Sequence, residues 1–539
     1  MSGTLVVGFD GATLDLVERW MAEGLMPNLS AVCADGAFAP MRSTYPYNSA
    51  VAWTSLTTGA SPGRHGIFDF VLPSARDYRL RVATGEDRRV PAVWSYASDA
   101  GAAVAVVNIP ATFPAEAVNG VMVSGMDAPR LDERAVYPGS TLHELRRLAP
   151  DYRILSNAAA EARRGDFDSA ERELVQTLEA RARFVTELAR SRPFDLLLVN
   201  FEATDGAHHF FWQHFDPTHP RHDPRQASRW GGTIARVYQA TDRHLGSLID
   251  AYQPDTVFVV SDHGGGPSND WVLFANDWLA AEGFLRLHGR AGSSSVLRRV
   301  YGELRSRLPV PVRRRLRRLF GGAVDRARES ALYGDVDWSR SRAYAQMQSG
   351  VRLNQAGREP NGTVTDAERA SVLEELSTKA GSLRLPSGQP AFSEIRPANE
   401  VFVGDAPGGW DLILDLSPGL HVRSRNTTSR AGFLRSLAEL GMYLPSGLHT
   451  PVGIVAAAGR GVERRERVQE SDIHQVTPSV LAVMGLPAPP LDGRPFEFIT
   501  ASLRAAAPAG EASGPSGGEL LEHEEEEVLE RLRGLGYVD

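Results

Sequence analysis

The chain has 539 residues, of which 42% are hydrophobic and 23% charged, an ordinary globular composition with room for roughly two to four domains. A formal net charge of −8 gives no basis for nucleic-acid binding over the whole surface. Its one cysteine, Cys33, excludes an internal disulfide and a cysteine-based zinc site, so a bound metal must be held by His and carboxylate.

The chain opens Met1-Ser2-Gly3-Thr4 and runs directly into an apolar stretch, with no basic n-region or long h-region. No apolar run approaches the ~20 residues that span a bilayer. The expectation is a cytoplasmic protein. Short runs at Leu5–Phe9, Ala103–Ile109, Leu196–Phe201 and Val257–Val260 are near-continuously apolar, as strands covered on both faces are. Helical patterns such as Thr13–Gly24 and Glu171–Arg190 separate them, and Gly453–Ala458 reads as a further strand. This alternation predicts an α/β fold, a mostly parallel central sheet flanked by helices on both faces.

Between the first two strands, Pro46 stops any strand that enters it. Asn48 and Ser49 are suitable N-cap residues, an apolar helical run follows, and Gly59 closes it. The Ser49 hydroxyl therefore stands near a helix N-terminus, whose unpaired N–H groups and positive dipole end suit a phosphate. Capping is the plain use of such a hydroxyl.

Residues 286–440 read as an inserted cap on a core made of 1–285 and 441–502. The cap begins with an arginine-rich run from Arg298 to Arg318, interleaved with leucines and valines and split by Pro309 and Pro311. It reads as a solvated helix pair, or as a platform for an anionic substrate, a membrane surface or a partner. Strands and turns follow over 337–362 and a helix over Asp366–Ala380. Residues 503–539 form a flexible linker, rich in Ala, Pro, Gly and Ser over Ala505–Gly518, and then an acidic helix, Glu519–Leu535. Val528, Leu529, Leu532 and Leu535 lie on one side of that helix, which suits docking on the body or on a partner.

Ligands of such sheets bind at the carboxyl ends of the strands. Here those ends carry Asp10, Asp205 with His209, and Asp262 with His263. Asp205 and His209 are four apart and share a helix face. Asp262 and His263 are adjacent, so both reach one site only if the chain turns, which Gly264-Gly265-Gly266 permits. His449 is the best remaining imidazole, with His208 and His214 as competitors by spacing. Grouped, Asp10, Asp262 and His263 would hold one metal, and Asp205, His209 and His449 another. Nitrogen and carboxylate donors suit catalytic zinc, and also manganese or iron. Two neighbouring metals can clamp the attacking and leaving oxygens of a displacement at phosphorus, and coordination would make the Ser49 hydroxyl a nucleophile.

These residues carry a resemblance. Gly8-Phe9-Asp10-Gly11, Ala52-Trp53-Thr54-Ser55 running to Thr58-Gly59, His65-Gly66-Ile67-Phe68-Asp69-Phe70, Thr204-Asp205 to His209-Phe210-Phe211-Trp212, Ser261-Asp262-His263-Gly264 and Gly447-Leu448-His449 resemble the alkaline phosphatase superfamily. The branch is that of type I phosphodiesterases, nucleotide pyrophosphatases and predicted phosphohydrolase/phosphomutase proteins. The resemblance implies two zinc ions on the sets just given. It also implies a Thr or Ser nucleophile ten residues before the Gly of the Thr-Gly pair, here Ser49, and passage through a phosphoseryl intermediate. Ser43, Thr44 and Thr54 are the lesser candidates. Asn48 and Arg358 are candidate substrate contacts. Phe70 stands where the pyrophosphatases carry an Asn that helps hold the phosphoryl oxygen, so their substrate preference does not transfer. The implied activity is hydrolysis of phosphate mono- or diesters. The alternatives are a phosphomutase, or a non-catalytic interaction protein that keeps the fold. A sulfatase does not fit, because no Pro and Arg follow Cys33.

Overall fold

The computed structural model describes residues 3–74, 78–288, 336–346, 350–404, 409–424, 432–465, 468–504, 520–535 and 537–538. The arginine-rich run and the Ala505–Gly518 linker lie outside the described residues. Among those described, nine strands form one sheet in the spatial order Ser471–Asp472, Gly36–Arg42, Val452–Gly459, Thr256–Val260, Thr4–Phe9, Leu196–Phe201, Val104–Ile109, Gly120–Ser124 and Val136–Tyr137. The five strands from Thr256–Val260 to Gly120–Ser124 run parallel to one another. Val452–Gly459 runs antiparallel to both strands beside it.

The continuous apolar character of the central strands follows from their two covered faces. Leu5, Val7 and Phe9 point into one core, which helices Leu14–Ala22, Phe167–Ser191 and Thr233–Tyr252 close. Val6, with Val104, Val106, Leu196, Leu198, Phe258 and Val260, points into the other. Helices Ser49–Thr58, Val93–Asp99 and Val476–Val483 cover that side. The period of two thus feeds two cores rather than a core and solvent. Each predicted strand and helix of the core is present, with ends shifted by a few residues. The Gly36–Arg42 and Gly120–Ser124 strands were not among the predicted ones.

A second, smaller sheet joins Ala343–Ala345, Gly350–Leu353, Leu412–Leu416 and Phe392–Pro397, all antiparallel. Helix Asp366–Ser382 packs on it after a capping box made by Thr365 and Glu368. Its core also takes in Leu273, Trp278, Leu279 and Phe284, so the cap shares apolar contacts with residues before 286. Helix Glu522–Leu535 returns to the main body and buries Val528, Leu532 and Leu535 in the first core. Among the described residues no helix is long and apolar enough to cross a membrane.

Candidate active site

The site lies where strands Thr4–Phe9, Leu196–Phe201 and Thr256–Val260 end. Asp10 follows the first directly. Thr204 Oγ1 donates to the Asp10 carbonyl at 2.5 Å, which ties the start of helix Ala203–Phe215 to that strand end. The Asp10 carboxylate is fixed through one oxygen. Oδ2 accepts from Asn200 Nδ2 at 2.6 Å and from the Trp53 indole at 2.9 Å. Oδ1 is left toward Ser49 Oγ, at 3.4 Å, and His263 Nε2, at 3.7 Å.

Ser49 is the first residue of helix Ser49–Thr58, and Asn48 is its N-cap. Asn48 Oδ1 accepts from Val51 N at 3.2 Å, and its Nδ2 donates to Asp69 at 3.3 Å. Capping therefore falls to Asn48. The Ser49 hydroxyl, 1% exposed, instead faces His263 Nε2 at 3.2 Å and Asp10. Ser49 and Trp53 are four apart and share a helix face, which brings both to Asp10.

Asp205 and His209 share a face of helix Ala203–Phe215, with His209 Nε2 3.2 Å from Asp205 Oδ2. Asp262 and His263 follow strand Thr256–Val260. The chain does bend here, at Asp262 and His263 themselves, so both side chains reach one site, while the glycines expected to permit the turn continue as strand. Gly264–Pro267 is itself a strand, paired antiparallel with Gly447–Thr450 so that Gly265 opposes His449. What these glycines supply is proximity. A Cβ on Gly264 would meet Val452 O at 2.2 Å, and one on Gly265 would meet His208 Nδ1 at 2.1 Å. The pairing stacks the His449 and His263 rings 3.8 Å apart. It also puts His449 Nε2 3.1 Å from His209 Nε2 and 3.3 Å from Asp205 Oδ1.

Six side chains distant in sequence are thus brought together. The donor atoms of Asp10, Asp262 and His263 lie within 4.8 Å of one another, and so do those of Asp205, His263 and His449, with His209 against Asp205 and His449. Each imidazole gives Nδ1–H to a main-chain carbonyl: His209 to Gly447 at 2.8 Å, His449 to Tyr47 at 3.1 Å, His263 to Gly264 at 3.0 Å. Every Nε2 lone pair therefore faces the cluster, the tautomer of a metal ligand. His208 turns away to the Tyr238 hydroxyl, and His214 to Gln213 and aromatic rings. Arg358 stays in the cap, where its guanidinium donates to Glu359, Asp411 and the Leu353 carbonyl.

Burial lifts the Asp10 carboxyl to about 7, with Asp205 adding to the rise. Burial, then Asp10 and Asp205, hold Asp262 well above the usual carboxylate range. For Asp205 burial also acts upward, but His209 and His449 outweigh it and hold the group well below that range. Asp262 Oδ2 has no hydrogen-bond partner although fully buried. Three buried acids around a partnerless oxygen, facing three imidazole lone pairs, are a donor set that fits divalent cations.

Residues 4–444 match the family described as Type I phosphodiesterase / nucleotide pyrophosphatase. The chain belongs to that family. Its alkaline phosphatase-like fold recurs in solved structures. Phosphonoacetate hydrolase from Sinorhizobium meliloti 1021, in complex with phosphonoformate, aligns over 90% of this chain and 96% of its own, at 14% identity and a TM-score of 0.53. Murine ectonucleotide pyrophosphatase / phosphodiesterase 5 aligns over 92% and 97%, at 12% identity and a TM-score of 0.50. No curated protein matches the chain significantly. As a type I phosphodiesterase family member the chain is a hydrolase of phosphoric ester bonds.

The candidate site also contains residues that the sequence did not single out. Trp53 and Asn200 fix Asp10. The helical spacing from Ser49 signals Trp53, and the end of an Asp-leading strand signals Asn200. Tyr537 reaches the cluster from the C-terminal segment, with its hydroxyl 2.9 Å from Asp205 Oδ2. No local pattern announces it.

Proposed function

We propose that this chain cleaves phosphate mono- or diesters by a two-step displacement with Ser49 as nucleophile. One divalent ion would be held by Asp10, Asp262 and His263, and a second by Asp205, His209 and His449. Zinc is the first choice on donor chemistry. Such ions, when bound, would lower the pKa of the serine hydroxyl and neutralise charge on the phosphoryl and leaving oxygens. The observation that carries the reading is the Ser49 hydroxyl. It is buried, released from capping by Asn48, and aimed at His263 and Asp10.

The rest follows from the chain's own groups. The N–H groups of Ser49 and Ala50 lie in a first helical turn, which offers them no carbonyl, and suit the oxygens of the transferring group. Attack by Ser49 Oγ forms the O–P bond of a phosphoserine while the bond to the leaving alcohol breaks. The alcohol departs on the side of Asp205, His209 and His449. Water then cleaves the phosphoserine and restores the hydroxyl. Asn48 holds the helix start beside the substrate, and Trp53 and Asn200 hold Asp10.

Metal analysis combined with a panel of aryl phosphate mono- and diesters tests this. The expected result is bound metal, hydrolysis that a chelator abolishes, and an acid-stable phosphate adduct on the Ser49 peptide. A metal-loaded Ser49→Ala protein that hydrolyses these esters as fast as wild type would overturn it.

A further inference from the structure

The C-terminal segment ends inside the candidate centre. Helix Glu522–Leu535 is anchored by Val528, Leu532 and Leu535 in the main core, and by Glu524, fully buried between Arg130 and Arg134. Beyond it, Tyr537 is 5% exposed and stacks on Phe70 with ring centroids 4.5 Å apart. Its hydroxyl stands 2.9 Å from Asp205 Oδ2, 3.3 Å from His209 Nε2 and 3.5 Å from His449 Nε2. His209 Nε2 is in turn 3.2 Å from Asp205 Oδ2 and 3.1 Å from His449 Nε2. Ligand bonds of about 2.0–2.1 Å give a tetrahedron with edges of about 3.3 Å. Tyr537 Oη thus stands within 3.5 Å of Asp205, His209 and His449, at about the spacing a fourth ligand of that set would have; His449 Nε2 itself is 3.3 Å from the other Asp205 oxygen, Oδ1.

A catalytic centre of three protein ligands keeps its fourth position for substrate or water, whereas a filled set is closed. We propose that the C-terminal segment is a built-in plug. Tyr537 holds the open position of the Asp205–His209–His449 centre, and a phosphate ester reaches Ser49 only when the segment withdraws. This rests on the hydrolase reading above. Occupancy by the chain's own phenol competes with substrate, so the apparent affinity for an ester or for phosphate is reduced by the fraction of molecules in which the segment is withdrawn.

The test uses the full-length, zinc-loaded protein and inorganic phosphate as the probe. Hydrogen exchange of the Glu522–Leu535 amides should quicken at least tenfold with saturating phosphate. In Tyr537→Phe it should be quick without phosphate. In Glu524→Gln, a variant remote from the centre, the KM for an aryl phosphate ester should fall at least threefold, with kcat unchanged or raised; in Tyr537→Phe the release is read instead as an at least threefold gain in phosphate affinity. The cobalt-substituted protein adds a readout independent of turnover: removing the phenol should alter its visible d–d bands. Unchanged tail exchange on phosphate binding, or a Glu524→Gln protein whose KM does not fall, overturns the plug. The two readings fail differently. A chain that binds no metal and hydrolyses no ester sinks the hydrolase, whereas an active metalloenzyme whose tail ignores phosphate sinks only the plug.

Discussion

The indole of Trp53 donates to Asp10 Oδ2 at 2.9 Å, which joins the helix that begins with Ser49 to the strand end that carries Asp10. The ring also presses on the strand itself, since a Cβ on Gly8 would come within 2.3 Å of it. Trp53→Phe should keep the packing but lose the donor. We expect metal affinity and kcat/KM to fall about 10- to 100-fold, as for other residues that orient ligands, with a stability loss of about 1 kcal/mol. Calorimetric metal titration and ester kinetics check this. Gly8→Ala should do worse in stability, because the indole must leave its place.

Asp10, Asp205 and Asp262 are crowded and buried, and the Asp262 carboxylate has an oxygen without a partner. Without metal this charge is a liability, and with metal it is a source of binding energy. Asp262→Asn should therefore raise the melting temperature of chelator-treated protein, by about 1 kcal/mol or more in stability. It should also shrink the further rise that added zinc gives. Thermal melts with chelator and with metal measure both signs. A fall in both would contradict the assignment.

His421 lies in the strand His421–Arg423, outside the two candidate ligand sets, and its pKa is pushed down to about 3 by burial and then by Arg221 and Arg423, with His209 and His219 adding to the fall. The folded protein thus holds it neutral, while the unfolded chain takes up a proton below about 6.5. Stability from this group is complete above pH 6.5. It is lost as pH falls toward 3, at up to about 1.4 kcal/mol per unit. Replacing it by a group that does not titrate, His421→Gln, should flatten the acid side of the melting curve between pH 6 and 4. Melts of the two proteins across that range give the answer.

Arg358 donates to Asp411 and Glu359, both buried acids of the cap. Arg369 also reaches Asp411, at 3.0 Å. Arg358→Ala should cost the cap about 1–3 kcal/mol, because buried acids lose a partner. The KM for aryl phosphate esters should change less than about twofold. A large change in KM with intact melting would return this arginine to the substrate's side.

The core was legible because its signals are local. Near-continuous apolar runs marked the central strands, acids followed close on three of them, and four-residue spacing put Asp205 and His209 on one face. Gly264-Gly265-Gly266 was legible as special but misread. Glycine signals turning and close approach alike, and only the pairing with Gly447–Thr450 shows that approach is its use here. Tyr537 was illegible for another reason. The apolar stripe of the last helix states that it docks, but where it docks depends on surfaces assembled from residues hundreds of positions earlier. Phe70, which stood out in the sequence as a departure, is where the Tyr537 ring lands.

The imidazoles of His209, His263 and His449 take their orientation from carbonyls of Gly447, Gly264 and Tyr47, that is, from the path of the main chain. Side-chain replacement at neighbouring positions leaves those acceptors where they are, except at Gly447 and Gly264 themselves, where a Cβ would meet main-chain oxygens at 2.3 and 2.2 Å. Adding or deleting one residue between Gly447 and His449 would shift the register and rotate a ring out of its bond. The spacing of this strand, and the glycines that let it approach so closely, are therefore fixed more tightly than the side chains around them.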